Sequence, residues 1–304
     1  MKLINLVNRI FPHPLKNSYY IGFLTEAELS LPVNERYARI KWMDVRQYEK
    51  EGWFADPFIL SVNDDTIELF AEEMIYQTGR GVLVYLKVDR NSFSVLDKKN
   101  ILSLDTHLSF PIYIEEDDKI YVYPENYQSG ELKMYEYDET VKILLNPRTI
   151  IAEPLLDTQI VKIDKSYFAF GVKYQTGSQT DTKELLIYKA EELMGEYKCI
   201  QKIENLRCEE RGAGLIYWEA GRLIRPAQCC EGGYGREVIL YELCKDEVGF
   251  KEVEFERVIP DRTVRMGGVL HTYNKKDGIV VVDGWAYQNP HIASLYKKMR
   301  RIKD

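Results

Sequence analysis

Five similar units follow one another along this chain, and they constrain the fold more than any other feature of the sequence. Each unit contains a short apolar run that ends in a tyrosine, and successive tyrosines are 50, 53, 53 and 55 residues apart. Self-similarity at a period of about 50 residues is typical of propellers and repeat arrays. The five runs end at Tyr85, Tyr135, Tyr188, Tyr241 and Tyr296.

Each unit also begins in the same way, with two apolar runs joined by a tight polar turn. The first unit reads DPFILSVNDDTIELFAEE from Asp56, with Asn and Asp residues between its two runs. Turns of this composition are typical of β-hairpins. A fourth strand-like run usually follows the tyrosine run, as in FSVLDKKNIL at 93–102. Four antiparallel strands in about 50 residues correspond to one propeller blade.

We therefore predict an all-β fold: a single-domain five-bladed β-propeller over residues 1–304, with four-stranded antiparallel blades. The fifth unit is too short for a complete blade, so we expect the N-terminal segments 18–26 and 38–45 to close the ring. Such closure would remove an open sheet edge. A β-sandwich or several small sheets is the alternative. The predicted blades lie near residues 53–103, 107–152, 155–206, 211–260 and 265–304.

Charge and composition argue against several functional classes. The net charge is −7 and the clearest basic segment is 297–303, whereas a nucleic-acid binder needs a larger positive surface. The five cysteines form no CxxC pair, and the glycine-rich segment 231–238 lacks the context of a phosphate loop. The four histidines show no metal-ligand spacing. We expect no nucleic-acid partner, no cofactor and no metal, although a central cation held by carboxylates and carbonyls would leave little trace in a sequence.

The N-terminal segment and the cysteines bear on localisation. Asn5, Asn8 and Arg9 interrupt the apolar character of the first residues, which makes a poor signal peptide. No apolar run approaches the roughly 20 residues that a membrane helix needs. Unpaired cysteines suit a reducing compartment. The sequence therefore predicts a cytoplasmic protein with no membrane span.

The hairpin repeat predicts where a binding site would lie. The start of the innermost strand and the end of its antiparallel neighbour meet at one rim of the central channel. The residues at these positions are mostly polar, charged or aromatic, which favours a pocket over solvated loops. Aromatic faces there could stack on sugars or simply pack between blades. The candidate ligand-binding residues are Trp53, Glu72, Arg211, Arg225, Gln228, Tyr234, Arg236, His271, Asp283 and Trp285.

Two aspartates, Asp56 and Asp157, open the first and third units. Paired carboxylates are what glycosyl transfer needs, because one activates water or an acceptor hydroxyl and an acid protonates the leaving oxygen. Asp–Pro is also a good strand entry, so Asp56 could have a purely structural role. The candidate catalytic residues are Asp56, Asp157 and, as a possible acid, Glu125.

Several segments resemble a known family. WFADPFI (53–59), FPIYIEEDDKIYVYPE (110–125) and RPAQ with YGREV (225–238) are similar to the N-terminal domain of plant glucosamine inositolphosphorylceramide transferases and its bacterial relatives among surface-polysaccharide proteins. That domain is in turn similar to the five-bladed glycoside hydrolases of family 43. This resemblance implies that Asp56 is the general base or nucleophile and that Asp157 is the aspartate that tunes the acid.

The sequence departs from the hydrolase pattern at the acid. A Glu–Gly–Pro run supplies the general acid there, whereas this chain has Arg211-Gly212-Ala213. Arginine stays protonated and cannot be that acid; Glu125, Glu72 or Glu210 could substitute. Arg211 and Arg225 could instead clamp a carboxylate or phosphate, which predicts an anionic or activated sugar as the ligand.

Three functional hypotheses remain open on the sequence. The first is a carbohydrate-active enzyme that processes or transfers an anionic or activated sugar in surface-polysaccharide metabolism. The second is a non-catalytic glycan-binding propeller that serves a partner glycosyltransferase or formyltransferase. The third is a protein-interaction propeller with a flat top and no polar pocket. Because propellers host unrelated functions, the fold alone does not decide whether the chain is an enzyme.

Overall fold

A computed structural model describes residues 17–175, 182–204, 211–230, 235–247, 249–259, 269–287 and 290–300. Their strands form five sheets of four strands each, and all paired strands are antiparallel. The predicted five-bladed β-propeller is confirmed. None of the helices in these ranges has the length and apolar character needed to cross a bilayer.

The chain starts with strands β1 (Asn17–Leu24) and β2 (Lys41–Trp42). Between them lie short helices α1 (Glu26–Leu29) and α2 (Val33–Arg36) and a 3-10 turn at Tyr37–Arg39. These two strands precede the first blade in sequence but belong to the last blade in space.

Four blades then follow in chain order. Blade one consists of β3 (Gly52–Val62), β4 (Thr66–Ile75), β5 (Arg80–Asp89) and β6 (Val95–Leu102). Blade two consists of β7 (Tyr113–Glu116), β8 (Lys119–Val122), β9 (Leu132–Asp138) and β10 (Ile143–Ile151), with a 3-10 turn at Tyr127–Ser129. Blade three consists of β11 (Leu156–Ile163), β12 (Ser166–Gln175), β13 (Thr182–Ala190) and β14 (Lys198–Ile203). Blade four consists of β15 (Tyr217–Glu219), β16 (Arg222–Cys229), β17 (Glu237–Lys245) and β18 (Phe250–Val258).

Blade five is completed by the N-terminal segment. Its inner strands are β19 (Thr272–Lys276) and β20 (Ile279–Tyr287), and the sheet order is β19-β20-β1-β2. Strand β1 pairs with β20 along its whole length, from Asn17 opposite Tyr287 to Leu24 opposite Val280. The ring is therefore closed by hydrogen bonds between the two ends of the propeller, as predicted.

One strand prediction is wrong. The fifth tyrosine run, which ends at Tyr296, lies in helix α3 (Pro290–Arg300) and is not the third strand of blade five. Ala293 and Tyr296 are buried while Leu295 is 45% exposed, so burial follows helical spacing. Both outer strands of the blade come from the N-terminal segment instead.

Aromatic side chains fill the spaces between adjacent blades. Phe70 of blade one packs edge-on against Tyr137 of blade two, with ring centroids 4.8 Å apart. Phe168 of blade three meets Phe250 of blade four at 5.1 Å in the same manner. Edge-to-face pairs of this kind add to the free energy gained from burial. The blades are thus held in a fixed order around the channel.

Candidate functional site

The same backbone distortion occurs near the start of three innermost strands. Asp56, Phe110 and Asp157 have φ values of 49°, 48° and 41°, a left-handed conformation that is uncommon outside glycine. At Asp56 and Asp157 the strand register also shifts, as in a β-bulge. Bulges re-aim side chains and recur next to functional sites. The distortion turns both aspartates towards neighbouring blades.

Asp56 joins three blades at the channel. Its Oδ2 accepts a hydrogen bond of 2.9 Å from the backbone N–H of Phe110 in the second unit. Its Oδ1 lies 3.3 Å from Nε2 of His271 in the fifth. Its own backbone N–H donates to Oδ2 of Asp283 at 2.7 Å. The carboxyl is therefore fixed, with the residue only 5% exposed.

His271 bridges two carboxyls. Its Nδ1 lies 2.5 Å from Oδ1 of Asp283, and Nε2 faces Asp56. The same Asp283 oxygen accepts the backbone N–H of Thr272 at 3.0 Å. Asp283, on β20, is fully buried. The three side chains form one ion-paired and hydrogen-bonded row.

Interactions within this row change the pKa values of Asp56 and His271. Burial raises the pKa of Asp56, the charge of His271 opposes this, and the charges of Asp283 and Asp157 add to it, so that the pKa is about 7. Burial alone would lower the pKa of His271, but the charges of Asp283 and Asp56 outweigh it and raise the value to about 9. His271 is therefore an imidazolium at neutral pH beside a carboxyl that titrates there.

The same residues are the ones that could hold a cation. Asp56, His271 and Asp283 each offer one ligand atom within 4.8 Å of the others. However, the 2.5 Å separation of His271 and Asp283 is a hydrogen-bond distance, and an imidazolium repels a cation. We interpret the set as a proton-carrying network and derive no metal-dependent step from it.

Glu72, on β4, lies next to Asp56. The residue is 4% exposed, and its partner in the β3–β4 pairing is Ala55, which directly precedes Asp56. Burial, followed by the charge of Asp56, raises the pKa of Glu72 well above its usual value. On its other side, Oε1 lies 3.5 Å from Nε2 of His107, a residue that the sequence did not single out.

Asp157 is paired within the protein. The guanidinium Nε of Arg211 lies 2.7 Å from its Oδ2, and the side-chain amide of Gln228 donates to the same oxygen at 2.9 Å. Gln228 also donates to the carbonyl of Gly212 at 3.0 Å. The Arg211 side chain is 12% exposed, so Asp157 neutralises most of its charge inside the protein.

Glu125 is held near this pair. Its Oε2 accepts the Ser109 hydroxyl at 2.8 Å and its Oε1 accepts the Tyr127 backbone N–H at 2.7 Å. Burial, and then the charge of Asp157, raises its pKa above the usual value. Both oxygens accept hydrogen bonds from the protein, which is an arrangement suited to a carboxylate more than to an acid that donates outwards.

Arg225 contacts side chains of blades three and four. Its side chain is 0% exposed, its Nε pairs with Glu252 on the outer strand of blade four, and its Nη1 donates to Gln159 at 3.0 Å. The expected clamp of Arg211 with Arg225 therefore has no geometric support. A guanidinium already neutralised inside the protein has little charge left for a ligand.

Aromatic rings line one side of the row. Tyr19 of β1 lies between Trp53 and His271, with centroids 4.9 Å and 4.8 Å away. Burial, and then the charges of Asp283 and Asp56, raises the pKa of Tyr19. Trp285, half-buried, contacts Tyr287 edge-on at 5.4 Å. The sequence missed Tyr19 because its place became clear only once β1 was paired with β20 opposite Trp285.

The structure describes the remaining predicted positions only in part. Tyr234, Glu210 and the start of the fifth unit at 266–268 lie outside the described residues. Arg236 is half-buried, and its backbone N–H donates to the carbonyl of Cys229 at 3.1 Å. The adjacent Gly235 has φ 58°, and a Cβ there would lie 2.6 Å from that of His271. Gly235 thus lies directly against His271.

Comparison with protein families shows where this chain belongs. The family model for the N-terminal domain of glucosamine inositolphosphorylceramide transferase 1 matches residues 38–267. The transferase of that name from Oryza sativa subsp. japonica is 30% identical over 66% of this chain and 28% of its own length. The Arabidopsis thaliana protein is 28% identical over 67% of this chain and 27% of its own. The chain thus spans just over a quarter of these curated relatives.

Solved structures share the fold at low sequence identity. The GH43_1 enzyme from Xanthomonas citri, complexed with xylotriose, aligns with a TM-score of 0.52 at 11% identity, over 78% of this chain and 87% of that one. An exo-β-1,3-galactanase from Phanerochaete chrysosporium aligns with a TM-score of 0.50 at 11% identity, over 70% and 53%. These likenesses establish the propeller architecture.

Proposed function

This chain belongs to the family of the N-terminal domain of glucosamine inositolphosphorylceramide transferase 1, and from that premise we propose that it is a carbohydrate-active propeller in which Asp56 is a general base. The sugar would enter the channel mouth along the rings of Tyr19 and Trp53. Aromatic faces stack on the C–H faces of sugars and exclude water from the hydroxyl to be activated.

The buried position of Asp56 between His271, Asp283 and the backbone N–H of Phe110 is the observation that carries this proposal. A general base works best when its pKa lies near the working pH, and that of Asp56 is about 7. Its bonds to His271 and Phe110 fix the position of the carboxyl. Strongly perturbed carboxyls inside a pocket are more typical of functional sites than of structural ones.

The missing acid favours transfer over hydrolysis. Arg211 occupies the expected acid position and pairs with Asp157, while both oxygens of Glu125 accept hydrogen bonds. A leaving group such as phosphate departs without protonation, so a site with a base alone suits an activated sugar donor. Two-carboxylate hydrolysis, by contrast, needs an acid on the other side of the bond.

The charges of the pocket bear on which sugar would bind. Among the described residues, five acidic side chains are buried around the ends of the inner strands, and Arg211 is paired with Asp157. We therefore favour a neutral or amino sugar over the anionic sugar that the two arginines suggested, and the name of the relatives, which contains glucosamine, agrees with this choice. A role in surface-polysaccharide metabolism stays a prediction. The acids are Asp56, Glu72, Glu125, Asp157 and Asp283.

The test combines binding with turnover. Calorimetry with glucosamine, N-acetylglucosamine and glucuronic acid, followed by turnover assays with their nucleotide-activated forms, would identify the sugar. Asp56→Asn should lose turnover by about 10²–10⁴-fold while it still binds the sugar. Asparagine tolerates the left-handed φ of this position, so the variant should fold. Unchanged turnover in Asp56→Asn would refute the assignment of the base.

A second function has its own support. The chain spans only 28% of its rice relative, so the transfer step in such proteins could belong to another part of the polypeptide. The propeller would then bind the glycan and present it to a partner transferase. Sugar binding by calorimetry with no turnover of any activated donor would favour this second function, and measured turnover would end it.

A further inference from the structure

Charge is unevenly distributed along this chain. Residues 1–16 contain two lysines, one arginine and no acidic residue, which gives a net charge of +3, and residues 288–304 carry +4. Because the whole chain carries −7, residues 17–287 carry −14. We call residues 1–16 and 288–304 the flanking segments. Basic segments attached to an acidic domain are typical of proteins that meet an anionic surface.

Closure of the ring joins both flanking segments to the propeller at one point. Strand β1 begins at Asn17, which pairs with Tyr287 near the end of β20. Residues that pair across two antiparallel strands have their Cα atoms about 5 Å apart. Segment 1–16 therefore enters the propeller beside the place where segment 288–304 leaves it. The two basic segments meet in space although the acidic propeller separates them in the sequence.

This meeting point lies at the rim of the candidate site. Trp285 precedes Tyr287 on β20 and pairs with Tyr19 of β1, whose ring contacts that of His271. Trp285 and Tyr287 are both half-buried and pack edge-on with ring centroids 5.4 Å apart. Partly exposed tryptophan and tyrosine side chains suit the headgroup region of a bilayer, because each has an apolar body and a polar tip.

Helix α3 adds an exposed apolar side chain and an exposed basic one to the same region. The helix contacts β20, and its Ala293 and Tyr296 are buried. Leu295 is 45% exposed and Lys298 is exposed. These two side chains are three positions apart and therefore neighbours on the helix surface. A helix that is merely solvated presents polar side chains outwards, whereas one that lies on a bilayer presents both kinds.

Two features favour a lipid bilayer over a nucleic acid as the partner. The first is the apolar content of segment 1–16, which phosphate contacts do not need. The second is the −14 of residues 17–287, which repels a polyanion that follows the protein surface. A bilayer is flat and meets one side of the propeller, and salt screens charges more than about 8 Å away. The large apolar residues of segment 1–16 are Leu3, Ile4, Leu6, Val7, Ile10, Phe11 and Leu15.

We propose that the flanking segments form a docking surface that holds the rim of the propeller against the anionic face of a lipid bilayer. Helix α3 would lie in the headgroup region, with Leu295 at the acyl boundary and Lys298 among the phosphate groups. The contact is peripheral and combines electrostatic attraction with shallow apolar burial. It goes beyond the proposed function and does not depend on the role of Asp56.

The first experiment measures co-sedimentation of the whole chain with two kinds of vesicle. One kind contains phosphatidylcholine alone, and the other contains equal parts of phosphatidylcholine and phosphatidylglycerol. We expect binding to the anionic vesicles that weakens as salt is added, because the attraction is electrostatic. Absence of binding, or equal binding to both kinds of vesicle, would overturn the proposal. Binding to double-stranded DNA without binding to vesicles would identify a nucleic acid as the partner and would also overturn it.

The second experiment compares two double variants that remove the same charge. Lys297→Gln with Lys298→Gln should lower partitioning onto the anionic vesicles about fivefold for each lysine removed. The control, Lys198→Gln with Lys251→Gln, removes two lysines of the outer strands β14 and β18, whose side chains are 72% and 74% exposed. The control should bind like the wild type. Equal losses in both double variants would show that binding follows net charge and that the flanking segments form no docking surface.

The apolar contribution is tested separately with Leu295→Ser. Because Leu295 is 45% exposed, its replacement should leave thermal unfolding unchanged while it lowers vesicle partitioning about tenfold, the effect of one apolar side chain withdrawn from lipid. Wild-type partitioning of Leu295→Ser would refute the placement of helix α3 at the acyl boundary. The outcomes are also distinct from those of the proposed function, since Asp56→Asn should bind vesicles like the wild type whether or not Asp56 is a base.

Discussion

Nδ1 of His271 lies 2.5 Å from Oδ1 of Asp283, and both side chains are buried. The pair holds the positively charged His271 ring in place, with its Nε2 3.3 Å from the carboxyl of Asp56. Because Asp283 also accepts two backbone N–H groups, of Asp56 and Thr272, this one carboxylate organises both the charge and the backbone of the site.

Substitution of Asp283 should therefore affect charge and stability together. In Asp283→Asn the pKa of His271 should fall, because the carboxylate charge 2.5 Å from its Nδ1 is lost. We expect about tenfold lower turnover and an unfolding free energy lower by about 2 kcal/mol, since buried hydrogen bonds to a charged group are weakened. Histidine NMR titration and urea unfolding measure the two effects. A His271 titration that does not move would contradict the role given to Asp283.

Activity should depend on pH in a bell-shaped manner. Turnover should rise as Asp56 ionises through about pH 7 and fall as His271 deprotonates through about pH 9. Asp56 also faces Glu72, Asp283 and Asp157, so the two apparent values belong to the network. A kcat/KM profile that is flat between these values and below pH 7 would rule out Asp56 as the base.

Stability should also change with pH. Asp56 and His271 both have pKa values above their usual 3.8 and 6.5, so the folded protein binds more protons than the unfolded chain. The stability that Asp56 contributes is lost as the pH rises from 3.8 through about 7, and that of His271 as it rises from 6.5 through about 9. Thermal unfolding temperatures should thus fall as the pH rises to about 9, and the fall below pH 7 should be smaller in Asp56→Asn.

Asp157 neutralises the positive charge of Arg211. In Asp157→Asn the guanidinium loses the carboxylate that lies 2.7 Å away and becomes available to a ligand. Affinity for glucuronic acid should rise by about tenfold, since an arginine–carboxylate pair in a sheltered site contributes at least about 1.4 kcal/mol. The matched control is Gln228→Leu, which removes the neighbouring donor and leaves the ion pair. Equal affinities of all three proteins for glucuronic acid would show that Arg211 does not reach the ligand.

Arg225 should matter for stability and not for sugar binding. Arg225→Met would leave Glu252 without its buried partner, and the loss of one member of a buried ion pair costs about 3–5 kcal/mol. Urea unfolding would measure the loss, and calorimetry on the folded protein should give the wild-type affinity. Weakened sugar binding with an unchanged free energy of unfolding would show that Arg225 contacts the ligand.

The ring should open when β1 is removed. A chain that starts after Leu24 lacks the third strand of blade five and leaves β20 without its partner. Such an edge is prone to aggregation. We expect loss of cooperative unfolding, and recovery when a synthetic peptide of residues 17–24 is added, because a strand can be supplied in trans. A stable, monomeric truncated protein would contradict closure through β1.

Most of the fold could be read from the sequence because its signals are local. Alternating apolar residues and Asn, Asp or Gly turns specify hairpins within a few residues, and their period of about 50 residues specifies blades. The fifth tyrosine run was wrongly predicted to be a strand because a buried residue such as Tyr296 fits the apolar face of a helix as well as that of a strand. The strand that replaces it is encoded over 250 residues earlier, at Tyr19 and its neighbours.

The sequence by itself determined that Asp56, Asp157, His271 and Asp283 share one rim, since hairpin register fixes where strands begin and end. Only the tertiary structure decided which of the rim groups bond to one another. Arg225 and Gln228 are separated by an odd number of positions on β16, and alternate residues of a strand face opposite sides, so one reaches Glu252 and the other Asp157. Partners such as His107 lie outside the repeated hairpin positions and meet Glu72 through packing between blades, which no local pattern encodes.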